Sequence, residues 1–291
     1  MALVLSPTEF RLLDGLRLAP RRTFHGRIRG ERLTRRKGVS IEFADYRDYT
    51  EGDDLRHLDW NVLARLQTPV MKTYQDEEDL AVYLVVDATE SMGFGEPSKL
   101  DLAKRLAAAF AYVALCGQDA VIPIAIPQRG VRPTRRGRSA FPQVSGWLDG
   151  IQSSGSPRSL AESLRELAAA GLRPGMVVLL TDALDPNAPA CLRVLGGVGH
   201  EACLVQVLAP EELDPDLEGD LRLLDAESDS VVELTANRDA LKLYRENLAA
   251  HNASLAEACR RHGGRFLQVS SADSVEQVVR DRLRKEGWFA A

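Results

Sequence analysis

Residues 80–87, LAVYLVVD, form a continuous apolar run that ends in a carboxylate. Such a run is typical of a strand that is buried on both faces of a parallel sheet. Four later segments share this short, aliphatic character: DAVIPIAI at 119–126, GMVVLLTD at 175–182, EACLVQVL at 201–208 and RFLQV at 265–269. The stretches between several of these segments carry apolar residues at helical spacing. Strands that alternate with helices predict an α/β fold with a doubly wound, mostly parallel sheet and helices on both of its faces.

The chain before this pattern has a different character. It is polar and rich in arginine and acidic residues, with one possible strand at 69–75. The sequence therefore predicts an N-terminal extension over residues 1–78 and an α/β domain over residues 79–291. A second irregular stretch, 217–235, predicts a hairpin, because two apolar segments flank the turn-forming AESDS.

Composition favours an ordinary globular protein, since 45% of the 291 residues are hydrophobic and 27% are charged. No stretch approaches the roughly 20 apolar residues that span a bilayer, and the start lacks a signal pattern. We therefore expect a cytoplasmic protein without membrane contact. The four cysteines are widely separated among apolar neighbours, which predicts buried core residues and no disulfide framework.

Charge is unevenly distributed along the chain. The formal net charge of -5 argues against a nucleic-acid partner, yet Arg17 to Lys37 contains nine basic residues and one acidic residue, Glu31. This basic arm has two interpretations that both stay open. It is a solvated N-terminal face, or it binds an acidic polymer through electrostatic contacts.

A run of oxygen-bearing side chains follows the first strand. Asp87, Thr89 and Ser91 recur at every second position, so a loop folded over the strand end can bring them to one point. Oxygen ligands at a partly hydrated site suit a hard cation such as Mg²⁺. Asp182 ends another predicted strand and can orient a bound water or hydroxyl. The competing interpretation is structural, because Asp, Ser and Thr often cap helices and turns at strand ends.

Two motifs resemble known families. Asp87-x-Thr89-x-Ser91 resembles the Asp-x-Ser-x-Ser signature of the metal-ion-dependent adhesion site in von Willebrand factor A domains. The upstream strings EFADYRDY at 42–49 and GDDLRHLDW at 52–60 closely resemble the bacterial domain-of-unknown-function family 58. In that family they precede a von Willebrand A-like domain, and the resemblance spans roughly residues 25–285.

The resemblance implies a function that composition alone does not indicate. It implies Mg²⁺ held by Asp87, Thr89, Ser91 and Asp182, with one coordination position left for an acidic side chain of a partner. It also implies association with a MoxR-type AAA+ ATPase, for which the chain serves as an adaptor that recruits a client protein.

The sequence departs from the family pattern in the third ligand loop. That loop carries a threonine two residues before a leucine, and aligning Leu160 as the leucine places Arg158 at the threonine position. An arginine cannot ligate a cation, but its guanidinium can pair with a carboxylate in place of the ion. Ser156 or Ser159 would supply the hydroxyl if the loop is shifted. The sequence leaves these alternatives open.

The sequence favours a non-catalytic protein over an enzyme. Ser91 follows a strand, but a nucleophile elbow requires G-x-S-x-G, and Thr89 occupies the first glycine position. A serine hydrolase using Ser91 remains the alternative, with Asp182 and one of three histidines as partners: His200, His251 or His262. No phosphate-binding loop of the G-x-x-x-x-G-K-[ST] type is present.

The upstream strings also predict structural contacts. Six of their charged residues carry both signs and predict an internal network of ion pairs that fixes the extension to the sheet: Asp45, Arg47, Asp53, Asp54, Arg56 and Asp59. Trp60 is predicted to anchor the core.

Overall fold

A computed structural model describes residues 5–24, 42–75, 80–127, 133–155, 159–217, 219–224 and 231–290. The helices are α1 (Pro7–Leu13), α2 (Trp60–Leu66), α3 (Lys99–Cys116), α4 (Phe141–Asp149), α5 (Leu160–Ala169), α6 (Ala188–Gly197), α7 (Pro210–Leu213), α8 (Arg238–Arg260) and α9 (Val275–Gln277). The strands are β1 (Arg17–Leu18), β2 (Glu42–Asp48), β3 (Val70–Gln75), β4 (Ala81–Asp87), β5 (Ala120–Ile126), β6 (Met176–Thr181), β7 (Glu201–Leu208), β8 (Gly219–Leu224), β9 (Val231–Ala236), β10 (Phe266–Ser270) and β11 (Phe289–Ala290). Short 3-10 turns cover Leu55–His57, Glu90–Gly93 and Arg138–Ala140, and a π-helical turn covers Val278–Leu283.

The central sheet has five parallel strands in the order β10-β7-β6-β4-β5. Every residue of the four strands β4, β5, β6 and β7 is buried, which explains their continuous apolar sequences. The order reverses direction at β4, as in a doubly wound sheet. The predicted fold class is confirmed. Four of the five strands lie within the predicted segments, and β10 extends one residue beyond its segment, to Ser270.

Helices cover both faces of this sheet. Along β4, the side chains of Val82, Leu84 and Val86 enter one core cluster with residues of α3 and α4. The alternate positions of β4 enter a second cluster with residues of α5, α6 and α8. A strand between two cores needs apolar residues at every position, since successive side chains point to opposite faces.

The chain divides into two compact units. The first contains residues 5–23 together with residues 80–290, and the second contains the described residues between them. Helix α1 packs with the sheet unit, and β1 pairs antiparallel with β11. The predicted division at residue 78 therefore differs from this arrangement, because Leu13 and Leu18 belong to the core of the sheet unit.

The second unit contains an antiparallel hairpin of β2 and β3 and the short helix α2. Arg47 makes a two-pronged ion pair with Asp53, at 2.6 and 2.7 Å, and Arg56 contacts Asp54 at 2.5 Å. These pairs connect four of the six residues of the predicted network within the unit. Attachment of the extension to the sheet through this network stays a prediction. The prediction for Trp60 is wrong: its side chain is 60% exposed. A unit this small offers little depth in which to bury an indole.

Asp59 organises the start of α2. Its carboxylate accepts two backbone N–H groups of the first helical turn, at 2.9 and 3.2 Å, which is the usual role of an N-cap aspartate. It also accepts the Tyr46 hydroxyl at 2.9 Å and pairs with Lys72 at 3.1 Å. The side chain of Asp45, the remaining member of the predicted network, lies outside the described residues.

Two further expectations concern the rest of the chain. Strands β8 and β9 form the predicted hairpin, with Leu224 opposite Val231, although its turn lies outside the described residues. The four cysteines are free, and three of them are buried. None of the helices in the described ranges is both long and apolar enough to cross a bilayer.

Candidate functional site

The candidate site lies at the edge of the sheet where the parallel strands end. Asp87 is the last residue of β4 and is buried. Its Oδ1 accepts the backbone N–H of Thr89 at 3.0 Å, and its Oδ2 accepts the hydroxyl of Thr181 at 2.6 Å. Because Thr181 ends β6, this carboxylate joins the loop after β4 to the end of the neighbouring strand.

Ionisation of Asp87 is unfavourable at this buried position. Burial and the nearby charge of Asp182 raise the pKa of Asp87 to about 6, against the opposing hydrogen bonds from Thr181 and Thr89. The two carboxylates therefore interact across the edge. Asp182 directly follows Thr181, whose hydroxyl contacts Asp87, so its backbone lies beside the end of β4.

The predicted hydroxyls lie together. Thr89 Oγ1 and Ser91 Oγ are 3.1 Å apart, and Met92 is buried beneath the short turn that begins at Glu90. Thr89 is buried, whereas Ser91 is half-buried. Of the Asp-x-Thr-x-Ser triplet, Ser91 is therefore the member that reaches the surface.

Asp182 has a partner that the sequence did not predict. Its Oδ2 accepts a hydrogen bond from Lys99 Nζ at 2.8 Å, and the same ammonium contacts Glu212 Oε1 at 2.6 Å. Burial by itself lowers the pKa of Lys99, but the charges and hydrogen bonds of the two carboxylates outweigh it, so the pKa lies above its ordinary value. Lys99 is thus a charged lysine inside the protein.

The turn that follows β6 is fixed by several contacts. Gln206 Nε2 donates to the carbonyl of Asp182 at 3.0 Å, and the Thr181 hydroxyl accepts the backbone N–H of Ala183 at 3.0 Å. His251 Nε2 lies 2.7 Å from the carbonyl of Ala183, a residue in the left-handed backbone region with φ 49°. These contacts hold Asp182 in one orientation.

The predicted third ligand loop, which contains Ser156, Arg158 and Ser159, is described only in part. Arg158 and Ser156 lie outside the described residues, so their predicted roles stay predictions. The Ser159 hydroxyl accepts the backbone N–H of Glu162 at 3.2 Å and caps helix α5. In this position it serves the helix, as N-cap serines commonly do.

The preceding residues of that loop pack against the Asp87 loop. The backbone N–H of Ser154 donates to the carbonyl of Ala88 at 2.9 Å. A Cβ placed on Gly93 would lie 2.9 Å from Ser153 Oγ, so the two loops are in close contact at this point. The loops after β4 and β6 and residues 151–155 therefore meet at one edge.

These contacts do not fit a magnesium ion held by Asp87, Thr89, Ser91 and Asp182. One oxygen of Asp182 already holds the Lys99 ammonium, and a divalent ion on the same carboxylate would be repelled by it. Both oxygens of Asp87 accept protein hydrogen bonds. In the described part of the chain, no three His, Cys, Asp or Glu side chains form a group suited to a metal.

The sequence analysis did not predict roles for three side chains of this site: Lys99, Thr181 and Glu212. One feature of the sequence could have indicated a special role for Lys99. It follows the N-cap Ser98 directly and is the first residue of α3, where the helix dipole disfavours a positive charge. A lysine in such a position requires a nearby anion, and the sequence alone does not say which one.

The histidines proposed for a hydrolase have other contacts. His251 is bonded to the carbonyl of Ala183, and His200 is buried with its ring 5.3 Å from that of Tyr83. His262 lies against Gly196, where an added Cβ would come within 2.3 Å of the imidazole.

The basic arm is described only at its beginning. The backbone N–H groups of Arg21 and Arg22 donate to the buried carboxylate of Glu201 at 2.8 and 3.0 Å. The Arg22 guanidinium donates to the carbonyls of Gly196 and His200. This end of the arm is therefore held at the opposite edge of the sheet, and binding of an acidic polymer stays a prediction.

Fold and site together define a doubly wound α/β protein with a buried polar cluster at the carboxyl edge of its sheet. The chain belongs to the family described as protein of unknown function DUF58, whose model matches residues 45–254. This confirms the family resemblance, while the adhesion-type metal site and the ATPase association stay predictions.

The chain is also similar to several uncharacterized relatives and to two solved structures. The chain is 30% identical over 286 residues to uncharacterized protein Mb1516 of Mycobacterium bovis and to uncharacterized protein Rv1480 of Mycobacterium tuberculosis, covering 92% of this chain and 87% of each relative. It is similar to the crystal structure of conserved hypothetical protein BatB from Bacteroides thetaiotaomicron, with 16% identity, a TM-score of 0.45, and coverage of 71% of this chain and 98% of that one. The structure of an aerotolerance-related membrane protein from Bacteroides fragilis gives 18% identity, a TM-score of 0.47, and coverage of 71% and 99%.

Proposed function

We propose that this chain is a non-catalytic interaction module that binds a partner protein through the carboxyl edge of its sheet. The observation that carries the proposal is the pair of large apolar side chains on the two loops of the site. Phe94, after β4, is 51% exposed, and Leu184, after β6, is 40% exposed. Exposed aromatic and aliphatic side chains of this kind are typical anchors of protein interfaces.

The loops that carry these anchors are held firmly. Asp87 joins one loop to β6, and Lys99 joins the other loop to Glu212. Side chains on a fixed framework lose little conformational freedom when a partner binds, so more of the contact energy becomes affinity. Ser91 and the exposed Glu90 add polar groups beside the apolar anchors.

The contacts of Ser91 favour binding over hydrolysis. Its hydroxyl lies in hydrogen-bond range of Thr89, a group that cannot serve as a general base. His251, the histidine that touches the neighbouring loop, is engaged by the Ala183 carbonyl. A nucleophilic serine needs a base within reach, and these contacts provide none.

The proposed partner is a MoxR-type AAA+ ATPase, with the chain as an adaptor that presents a client protein. The family resemblance suggests the identity of the partner. The exposure of Phe94 and Leu184 suggests the surface that the partner would contact. Magnesium is left out of this proposal, because the contacts of Asp182 do not suit it. A cytoplasmic location stays a prediction.

Capture by a purified MoxR-type ATPase tests the proposal. We expect Phe94→Ser combined with Leu184→Ser to weaken binding by at least about tenfold, since interface anchors typically contribute more than about 1.4 kcal/mol. The matched control is Val198→Ser, because Val198 is 46% exposed just before β7, at the opposite edge of the sheet.

Thermal melts of all variants check that each protein is folded. Weaker capture by the double variant, with normal capture by Val198→Ser, supports the proposed edge. Equal capture by the double variant and the wild type would remove it. Labelling of Ser91 by a serine-reactive fluorophosphonate would instead favour the hydrolase.

A further inference from the structure

Lys99 is among the largest side chains of this protein that are fully buried, and it is an ammonium ion. A charged group of this kind leaves water only when anions compensate it. Its position at the first residue of α3 adds a further penalty, because the positive end of the helix dipole lies there. Strong compensation is therefore required at this position.

That compensation comes from two separate parts of the chain. Asp182 follows β6, and Glu212 belongs to α7 after β7; their carboxylate oxygens lie 2.8 and 2.6 Å from Lys99 Nζ. The ammonium consequently joins three elements that are distant in sequence. Bound divalent ions perform the same task in other proteins, since they gather carboxylates from several loops.

Glu212 extends this arrangement to the surface. Its second oxygen accepts the backbone N–H of Ala209 at 2.7 Å, and its carbonyl accepts the hydroxyl of Tyr244 at 2.6 Å. The loop after β7 and helix α8 are thus connected to the ammonium. The Phe94 ring centroid lies 5.9 Å from Lys99 Nζ, so the ammonium also lies beneath an exposed apolar anchor.

We infer that Lys99 is a built-in cation that takes the place of a divalent metal ion at this edge, so that the loops keep their arrangement without bound metal. The observation behind this inference is the location of the ammonium on Asp182, one of the residues from which a magnesium site would be built. The positive charge is covalently attached to α3 and cannot be removed by chelation.

Metal dependence of stability tests the inference on the full chain without any partner. We expect the melting temperature of the wild type to change by less than about 1 °C between millimolar Mg²⁺ and EDTA, because a ligand stabilises only a protein that binds it. Lys99→Met keeps the unbranched chain up to the position of the lysine Cε and removes the ammonium group and its charge. In EDTA we expect it to melt at least about 5 °C lower, since it leaves two carboxylates without a counter-charge.

Millimolar Mg²⁺ should recover part of this loss in Lys99→Met. The matched control is Lys104→Met, on the same helix, because Lys104 is partly exposed and pairs with Asp101 at 3.6 Å. This control should melt close to the wild type and respond to neither additive. The inference is overturned if Lys99→Met melts with the wild type, or if Mg²⁺ raises the melting temperature of the wild type by several degrees.

Two further measurements decide the question if Lys99→Met does not fold. Calorimetric titration of the wild type with MgCl₂ should give no saturable heat, and binding tighter than about 1 mM would overturn the inference. Glu212→Gln retains a hydrogen-bond acceptor and leaves Lys99 paired with Asp182. Its melting temperature should be lower than that of the wild type and still independent of Mg²⁺; a stabilisation by Mg²⁺ would count against the inference.

Discussion

Thr181→Val is the substitution that most directly probes how the edge is built. Valine has nearly the shape of threonine, so the change removes a hydroxyl and keeps the side-chain volume. That hydroxyl donates to the buried carboxylate of Asp87 at 2.6 Å and accepts the backbone N–H of Ala183 at 3.0 Å. The substitution therefore affects both loops of the site at once.

The two contacts set the expected magnitude. A hydrogen bond to a charged group contributes about 1.5–3 kcal/mol, and a buried N–H left without an acceptor costs about 1–3 kcal/mol. Because neighbouring effects are not fully additive, we expect Thr181→Val to lower the free energy of unfolding by about 3–5 kcal/mol. The lost hydrogen bond should also raise the pKa of Asp87 further.

Urea unfolding of the wild type, Thr181→Val and Thr181→Ser measures this effect. Serine retains the hydroxyl and loses one methyl group, so Thr181→Ser should recover most of the loss. If Thr181→Val unfolds within about 1 kcal/mol of the wild type, the hydroxyl does not hold the edge together. If serine is as damaging as valine, the methyl group accounts for the effect.

Two further predictions concern other parts of the chain. Burial lowers the pKa of His200, so the unfolded chain takes up a proton more readily, and stability should fall as the pH drops through the unfolded value near 6.5. His200→Phe keeps an aromatic ring against Tyr83. In this variant the fall in urea midpoint between pH 7.5 and pH 5.5 should be smaller than in the wild type. If the fall is unchanged, other titratable groups cause the pH dependence. In the second unit, Asp59→Ala removes the N-cap of α2, and amide hydrogen exchange in that helix should quicken by about fivefold. Asp59→Asn keeps a capping side chain and should exchange more slowly than the alanine variant, and equal rates for the two variants would contradict the capping role.

The central sheet could be predicted because its physical requirement is local. A strand between two helical layers must be apolar at every position, and the run ending at Asp87 meets this condition within eight residues. The hydroxyl pair of Thr89 and Ser91 was also accessible to prediction, since both residues lie on one short loop. Local patterns therefore supplied the fold and half of the site.

The other half of the site depends on contacts between distant residues. Lys99, Asp182 and Glu212 meet only after three strands have been placed side by side, and no spacing in the sequence connects them. The same reason applies to the unit boundary. Leu13 and Leu18 lie in the segment that the sequence assigned to the extension, although they pack in the first unit.

The prediction for Trp60 was wrong for a different reason. Tryptophan is usually well buried in a large domain, and this expectation presumes a core of sufficient depth. The described part of the second unit has a two-stranded hairpin and a seven-residue helix. Around Trp60 the small size of the unit outweighed the preference of the residue.

The pairing of β1 with β11 has a consequence for how the protein acquires its structure. Arg17 lies opposite Ala290, so a strand synthesised early must wait for one synthesised much later. Closing so long a loop is slow, and the apolar face of the early segment stays exposed meanwhile. Until residues 289 and 290 have left the ribosome, the backbone groups of β1 that pair with β11 therefore remain open to water.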